Sequence, residues 1–592
     1  MRRLIINLCI EHHLADHLFP ESITKSIQER LGADERSTVD DMSNPISPAQ
    51  PMGKPYILNI PPEVTYLLLD RLEKNDIAAL RLTCHDMNKL TQERLFKRLV
   101  VKPRHNLTKL MKLSDEIAQH VQSIEFFPHH SGDTYWYHDE DRYQPPLYLR
   151  VPFFPKLNAV HLYGHDLQMR NAAHKLLEMH HFIKDLTIYF RQWYFTPKHW
   201  ERELQRIRSL ETLSIRFGWA KEESSMRLAY MPLNLETTTP IWGMINANSD
   251  SLKSLNLEFP SRPAGTGENF RVMPYHTSKT SELVPAAAGK WEKQLQLEEL
   301  KLQYLEEFGK VYESTKFFDP EKLQIFSLVN CPESDAVLLE LVGSMTNLKS
   351  LQVRHSISNS STIPILLKRL PALETLHIAI SADMDFDYKW LASQQRSVKN
   401  LWIEALADRS KDSDNFEAWD SLEELAIMKS HLANGRRSGI MCLKNLRIPA
   451  NLRMIRLLHP TGNPTRDFDQ TQAIKIIEAL GIRQFRTMSA KYPRTPSGKM
   501  KRMYIKPNLK ILAVGSRFEC RHTHDRTRVL KLNYQHTERL GKFKGDFQRI
   551  PTAEFAREYP DTTLLSYGEE RGSRAWLGKP FTTEMCFRDD VI

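Results

Sequence analysis

Leu297-Glu298-Glu299-Leu300-Lys301-Leu302 is followed by Leu323-Gln324-Ile325-Phe326-Ser327-Leu328, and then by Leu348-Lys349-Ser350-Leu351-Gln352-Val353. Each stretch is apolar at its first, fourth and sixth places. The pattern returns at Leu373-Leu376-Ile378, Val398-Leu401-Ile403 and Leu422-Leu425-Ile427, so successive copies are 26, 25, 25, 25 and 24 residues apart. The fourth and sixth places alternate as in a strand, which points both side chains to one face. The segments between copies, such as residues 333–346 with Val337, Leu338, Leu341 and Val342, carry helical spacing. Each unit reads as strand, turn and helix. One such unit cannot bury its apolar face alone, but stacking on its neighbours does so. The predicted fold class is an α/β repeat array.

Working outward, the same signature occurs upstream at Val121-Ile124-Phe126, Leu157-Val160-Leu162, Ile183-Leu186-Ile188, Leu210-Leu213-Ile215 and Leu252-Leu255-Leu257. Downstream it occurs at Leu443-Leu446-Ile448, Leu452-Ile455-Leu457 and Leu509-Leu512-Val514. These copies place the array over residues 101–515. The intervals from 210 to 252 and from 252 to 297 are long, and residues 260–290 are rich in Pro, Gly, Ser and Thr, which predicts an exposed loop. The interval from 457 to 509 predicts a helix over residues 471–480 and an obscured repeat near Ile482 and Phe485. Residues 516–592 lose the period and are expected to form a cap or an irregular tail.

The chain has 592 residues, is 41% hydrophobic and 26% charged, and carries a formal net charge of +10. For this length that charge is mild: it permits acidic partners but does not call for nucleic acid. No apolar run reaches about 18 residues, so no membrane partner is expected. The start, Met1-Arg2-Arg3-Leu4-Ile5-Ile6-Asn7-Leu8-Cys9-Ile10-Glu11, has too short an apolar stretch for a secretory signal. Six cysteines are scattered with no CxxC pair, which fits a reducing compartment, cytoplasm and/or nucleus. Residues 1–53 are expected to be a weakly structured tail, because residues 37–52 offer few large apolar side chains to offset the cost of ordering.

From residue 54 to 100 the texture is helical. Ile60-Pro61-Pro62-Glu63-Val64 opens a helix on a proline pair, with Val64, Leu67 and Leu68 on one face. Asn75 or Asp76 can cap a second helix that turns Ile77, Leu80 and Cys84 inward, and a third segment carries Met87, Leu90 and Leu95. Three short helices bury little surface, so this unit must bind or pack against something. Ile60-Pro61-Pro62-Glu63-Val64, Leu67, Leu72, the turn Asn75-Asp76-Ile77, then Leu80-Arg81-Leu82-Thr83-Cys84 and Met87 together resemble the F-box. The departures are Ile60 for the usual Leu, Leu82-Thr83 for the usual x-Val pair, and Met87 for an aromatic. The downstream copy Leu323-Phe326-Leu328-Cys331 is similar to the cysteine-containing leucine-rich repeat, with Cys331 expected to face inward at the turn after the strand. An F-box followed by degenerate repeats looks like the large F-box families of filamentous fungi.

The resemblance implies a small three-helix F-box followed by a leucine-rich-repeat solenoid. It implies that Ile60, Pro61, Glu63, Val64, Leu67, Leu72, Leu80, Leu82 and Met87 dock on the small adaptor subunit of an SCF-type cullin–RING ubiquitin ligase. The adaptor would bring the cullin, and the solenoid would bind a protein substrate. Ubiquitin transfer would then belong to the ligase, with this chain a non-catalytic receptor that supplies proximity. A scaffold that uses the same surfaces without a cullin is the alternative, and a nucleic-acid-associated repeat protein a further one.

Two other segments could meet partners. Tyr135, Trp136, Tyr137 and Tyr143 lie on a long loop and could supply interface anchors. Lys499, Lys501 and Arg502 sit in an acid-free basic run, residues 491–506. Cys520, His522 and His524, and the pair His13 and His17, lack the second half of a zinc site, so no metal or other cofactor is expected. No nucleophile elbow, phosphate loop or HExxH motif is present.

Overall fold

The computed structural model describes residues 74–83, 85–101, 109–126, 151–163, 167–190, 200–217, 235–259, 293–305, 308–332, 334–354, 361–380, 388–405, 418–428, 451–459, 509–516, 528–535 and 544–550, together with a few single residues and pairs. The chain divides into two compact units, residues 1–88 and 89–592. Helix α1 (Lys74–Arg81) belongs to the first, and α2 (His85–Phe96) runs across the boundary.

The second unit is built on one large sheet. In chain order its strands are β1 (Arg98–Val101), β2 (Ser123–Phe126), β3 (Ala159–Leu162), β4 (Asp185–Phe190) and β5 (Thr212–Phe217). A small hairpin, β6 (Ala220–Lys221) and β7 (Leu228–Ala229), stands apart from the sheet. The sheet resumes with β8 (Ser254–Glu258), β9 (Glu299–Gln303), β10 (Ile325–Val329), β11 (Ser350–Arg354), β12 (Thr375–Ile380), β13 (Asn400–Ala405), β14 (Glu424–Met428), β15 (Met454–His459) and β16 (Ile511–Ser516). These fourteen strands are parallel and adjacent in chain order; β17 (Arg528–Gln535) and β18 (Lys544–Ile550) then add to the end antiparallel. The helices between strands are α3 (Asp115–Ala118), α4 (Leu167–Met179), α5 (Glu201–Leu204), α6 (Leu235–Ala247), α7 (Phe308–Thr315), α8 (Asp335–Leu341), α9 (Thr362–Arg369) and α10 (Tyr388–Gln394). This is the α/β order predicted from the interval.

The register shows why the sequence pattern works. Pairing aligns the fourth places into one column, from Leu99 through Leu300, Phe326 and Leu351 to Leu512, and each is at most 2% exposed. The sixth places align beside them, as at Leu302, Leu328 and Val353, and are equally buried. The helices close this face: Val337, Leu338 and Leu341 of α8 and Ile363, Leu366 and Leu367 of α9 are all buried. A buried leucine contributes roughly 1.5–3 kcal/mol relative to exposure, so two unbroken columns dominate the stability of the array.

A second regularity lies in the backbone. The residue just before each parallel strand but the last, from Lys97 to Arg453, offers its carbonyl to two successive N–H groups of the next repeat, at 2.7–3.1 Å. Lys184, for instance, accepts from Glu211 and Thr212, and Glu211 accepts from Lys253 and Ser254. The row continues unbroken across the two long intervals, whose strands pair directly as β5–β8 and β8–β9. After the strands, Tyr304 and Asn330 take left-handed backbone (φ 57° and 53°) to turn the chain toward its helix. Cys331 is fully buried there; its thiol donates to the Leu302 carbonyl at 3.4 Å. One repeat later Ser356 occupies the same place and its hydroxyl donates to the Leu328 carbonyl at 3.1 Å.

Two expectations are corrected. No strand from the triplet Leu443-Leu446-Ile448 stands between β14 and β15, which pair directly. The triplet starts only 9 residues before Leu452, too few for a strand, turn and return segment. Likewise β15 pairs directly with β16, so no strand from the Ile482–Phe485 region of the sequence stands between them; the helix expected over 471–480 lies outside the described residues. Within residues 516–592, expected to form a cap or an irregular tail, the described strands β17 and β18 add to the end of the sheet antiparallel.

Candidate binding surfaces

In the first unit the chain leaves α1 through a tight turn. The Leu82 and Thr83 N–H groups donate back to the Ala79 and Leu80 carbonyls, and the Thr83 hydroxyl also donates to Leu80 at 2.7 Å. Arg81 donates to the Asn88 side chain at 2.8 Å, which ties the two helices together. Ile77, Leu80 and Met87 are buried, at 6%, 7% and 1% exposure, whereas Leu82 is 86% exposed at the turn. Of the nine residues expected to dock an adaptor, Leu80 and Met87 therefore serve as core, and Leu82 is presented outward. Ile60, Pro61, Glu63, Val64, Leu67 and Leu72 lie outside the described residues.

In the second unit the sheet has an opposite face. Residues between the two apolar columns point away from the helices, because strand side chains alternate. Their column reads Glu125, His161, Thr187, Ser214, Asn256 and Lys301 through β2–β9, then Ser327, Gln352, His377, Trp402, Ala426 and Arg456 through β10–β15. No residue type recurs in a regular way, and most members are polar.

The first half of this face is assembled from acid–base pairs. Arg98 donates to Glu125 at 2.6 Å. His161 meets the Thr187 hydroxyl at 2.9 Å and lies 3.9 Å from the Asp185 carboxylate. Arg216 pairs with Glu258 at 2.8 Å, both almost fully buried, and the guanidinium lies over the Tyr189 ring. Lys301 neutralises Glu299, which also accepts from Ser254 at 2.7 Å. Burial alone would raise the Glu299 pKa, but Lys301 and Ser254 hold it below the usual carboxylate range. Tyr163 is pushed well above its ordinary value by burial and by the Glu125 and Asp185 charges.

The second half is built from stacking. Ser327 donates to Gln352 at 2.7 Å. His377 packs on Trp402 with ring centroids 5.1 Å apart, and the Arg456 guanidinium covers the Trp402 ring at 5.2 Å. Trp402, Ala426 and Arg456 are register partners, so the small Ala426 between them leaves room for arginine to reach across a strand.

This polar column was not singled out from the sequence. The signal existed in the fifth place of each apolar triplet, which a single window cannot show but an alignment of the copies can. Tyr135, Trp136, Tyr137 and Tyr143, and Lys499, Lys501 and Arg502, lie outside the described residues, as do Cys520, His522, His524, His13 and His17. Among the described residues no group of three or more His, Cys, Asp or Glu side chains is arranged to hold a metal, and no helix is long and apolar enough to cross a membrane. Compared with protein-family models and with curated proteins, the chain matches none of either.

Proposed function

We propose that the chain is the substrate receptor of an SCF-type cullin–RING ubiquitin ligase. In this reading residues 54–100 are an F-box that docks on the adaptor subunit, and residues 101–515 are a degenerate leucine-rich-repeat solenoid whose polar strand face holds the target protein. The chain itself transfers no ubiquitin.

The observation that carries the reading is Leu82: exposed at the turn between two helices whose Ile77, Leu80, Met87, Leu95 and Phe96 are buried. A large exposed aliphatic residue beside a small helical core fits a docking anchor. The fourteen parallel strands, with a varied polar row, fit a receptor whose recognition surface differs residue by residue from one copy to the next.

The test is a pull-down from cell extract with the intact chain and with Leu82→Asp, probed for adaptor and cullin. Because Leu82 supports no core, the variant should stay folded by circular dichroism. Capture of both partners by the intact chain, and at least a tenfold loss in the variant, is the expected result. Adaptor without cullin would favour a scaffold. Neither partner captured by a folded intact chain would overturn the F-box reading.

A further inference from the structure

The apolar columns and the carbonyl row are nearly the same at every repeat. They hold neighbouring strands together but say nothing about which strand should be the neighbour. Something else must make the order unique.

The residues that carry the carbonyl row also carry a charge pattern. Between the neutral Asn158 and the neutral Gln324 it reads Lys184, Glu211, Lys253, Glu298. Past Gln324 it reads Lys349, Glu374, Lys399, Glu423, Arg453, and beyond this block the last parallel strand is preceded by Lys510, which repeats the sign of Arg453. Within both blocks the sign alternates at every step. The side chains meet across strands: Lys184 with Glu211 at 2.7 Å, Lys399 with Glu374 at 3.0 Å and Arg453 with Glu423 at 2.9 Å. Hydrogen bonding and charge from Lys184, aided by Lys253, hold the Glu211 carboxyl below its usual range.

We propose that this alternation is a stacking-order code. Skipping one repeat would set Lys184 beside Lys253 and Glu211 beside Glu298, or Lys349 beside Lys399 and Glu374 beside Glu423. A single-repeat slip inside either block therefore replaces attraction with repulsion, while the apolar columns would accept it. Mis-stacking of this kind is a characteristic failure of repeat proteins. Each exposed pair is individually weak, but the code acts at successive strands and needs only to bias a choice between otherwise similar arrangements.

The first block is bounded by neutral residues, so it can be inverted whole without creating a clash at its edges. Full-length chain is unfolded in urea and returned to 20 mM or 1 M NaCl; correctly assembled monomer is measured by gel filtration and circular dichroism. E211K puts three lysines in a row, and its ratio of native to misassembled protein at low salt should fall about two- to tenfold. E211Q should fall between E211K and the intact chain. The inverted block K184E/E211K/K253E/E298K should recover the intact ratio. In 1 M NaCl, where screening extends only about 3 Å, the E211K deficit should vanish. The proposal is overturned if E211K assembles like the intact chain at low salt, or if the inverted block is as poor as E211K.

Discussion

The two faces of the one sheet obey different rules. On the helix side every fourth and sixth place is filled by an aliphatic or aromatic group, and any of them could exchange with its neighbour without changing the chemistry. On the opposite side each side chain is matched to particular partners: Arg98 to Glu125, Arg216 to Glu258, His377 and Arg456 to Trp402. The first face sets stability and period. The second sets identity, because matched pairs can vary from repeat to repeat while uniform columns cannot.

The sharpest way to break this contrast is to orphan a charge on the polar side. Arg216→Ala leaves Glu258 buried without its guanidinium, and should cost about 3–5 kcal/mol in urea unfolding. Replacing both partners, as in Arg216→Met with Glu258→Met, should recover most of that loss; failure to recover would mean that the pair does more than satisfy itself. Next in size is the apolar column. Leu300→Ala removes a fully buried side chain at the middle of the array and should cost about 2–5 kcal/mol. Lys301→Ala, the adjacent residue on the other face, should cost less than about 1 kcal/mol because its partner Glu299 retains Ser254. Equal losses from the two would erase the distinction between the faces.

A smaller effect should appear on acidification. His180, at the end of the return segment after α4, accepts the Phe154 N–H through Nε2 at 3.4 Å, and stacks on Phe153. Burial, reinforced by His181, pushes its pKa down to about 4. The folded pKa lies below the unfolded one, so its contribution is fully present above about pH 6.5 and is lost as pH falls toward 4. The loss should reach up to about 3 kcal/mol. In His180→Gln, which keeps an acceptor but does not titrate in this range, the urea midpoint should change less between pH 6.5 and 4 than in the intact chain. Identical pH profiles would show that His180 protonates freely in the folded chain.

Asn248 and Gln395 serve two later repeats in a common way. Asn248 accepts from the Leu210 N–H and donates to the Ile207 and Met244 carbonyls. Gln395 accepts from the Leu373 N–H and donates to the Leu367 carbonyl. Two different amide residues fill one structural role, at different distances from the strand that follows, which is why no sequence motif marks it.

The same reason explains how much of the molecule could be read in advance. The apolar columns are legible because the hydrophobic requirement repeats at a fixed interval and tolerates Leu, Ile, Val or Phe. That tolerance also made Leu443-Leu446-Ile448 look like a copy, although β14 and β15 pair directly with no strand between them. The polar face is illegible in any one window, since Ser327, Gln352, His377 and Trp402 share nothing except their place. The second and third of the three expected helices were legible as helices, but the division between Leu80 as core and Leu82 as surface depends on the turn that separates them.

The carbonyl row has one more consequence. It counts strands, not residues: β5 and β8 join by the same paired bonds as β10 and β11, although the first interval between strand starts is 42 residues and the second 25. Chain can therefore be added between one strand and the next without disturbing the frame, and the cost of closing a longer loop rises only slowly with its length. The sheet behaves as a rack with open bays. The bay between Glu258 and Glu299 is where a grafted peptide or tag should be tolerated best.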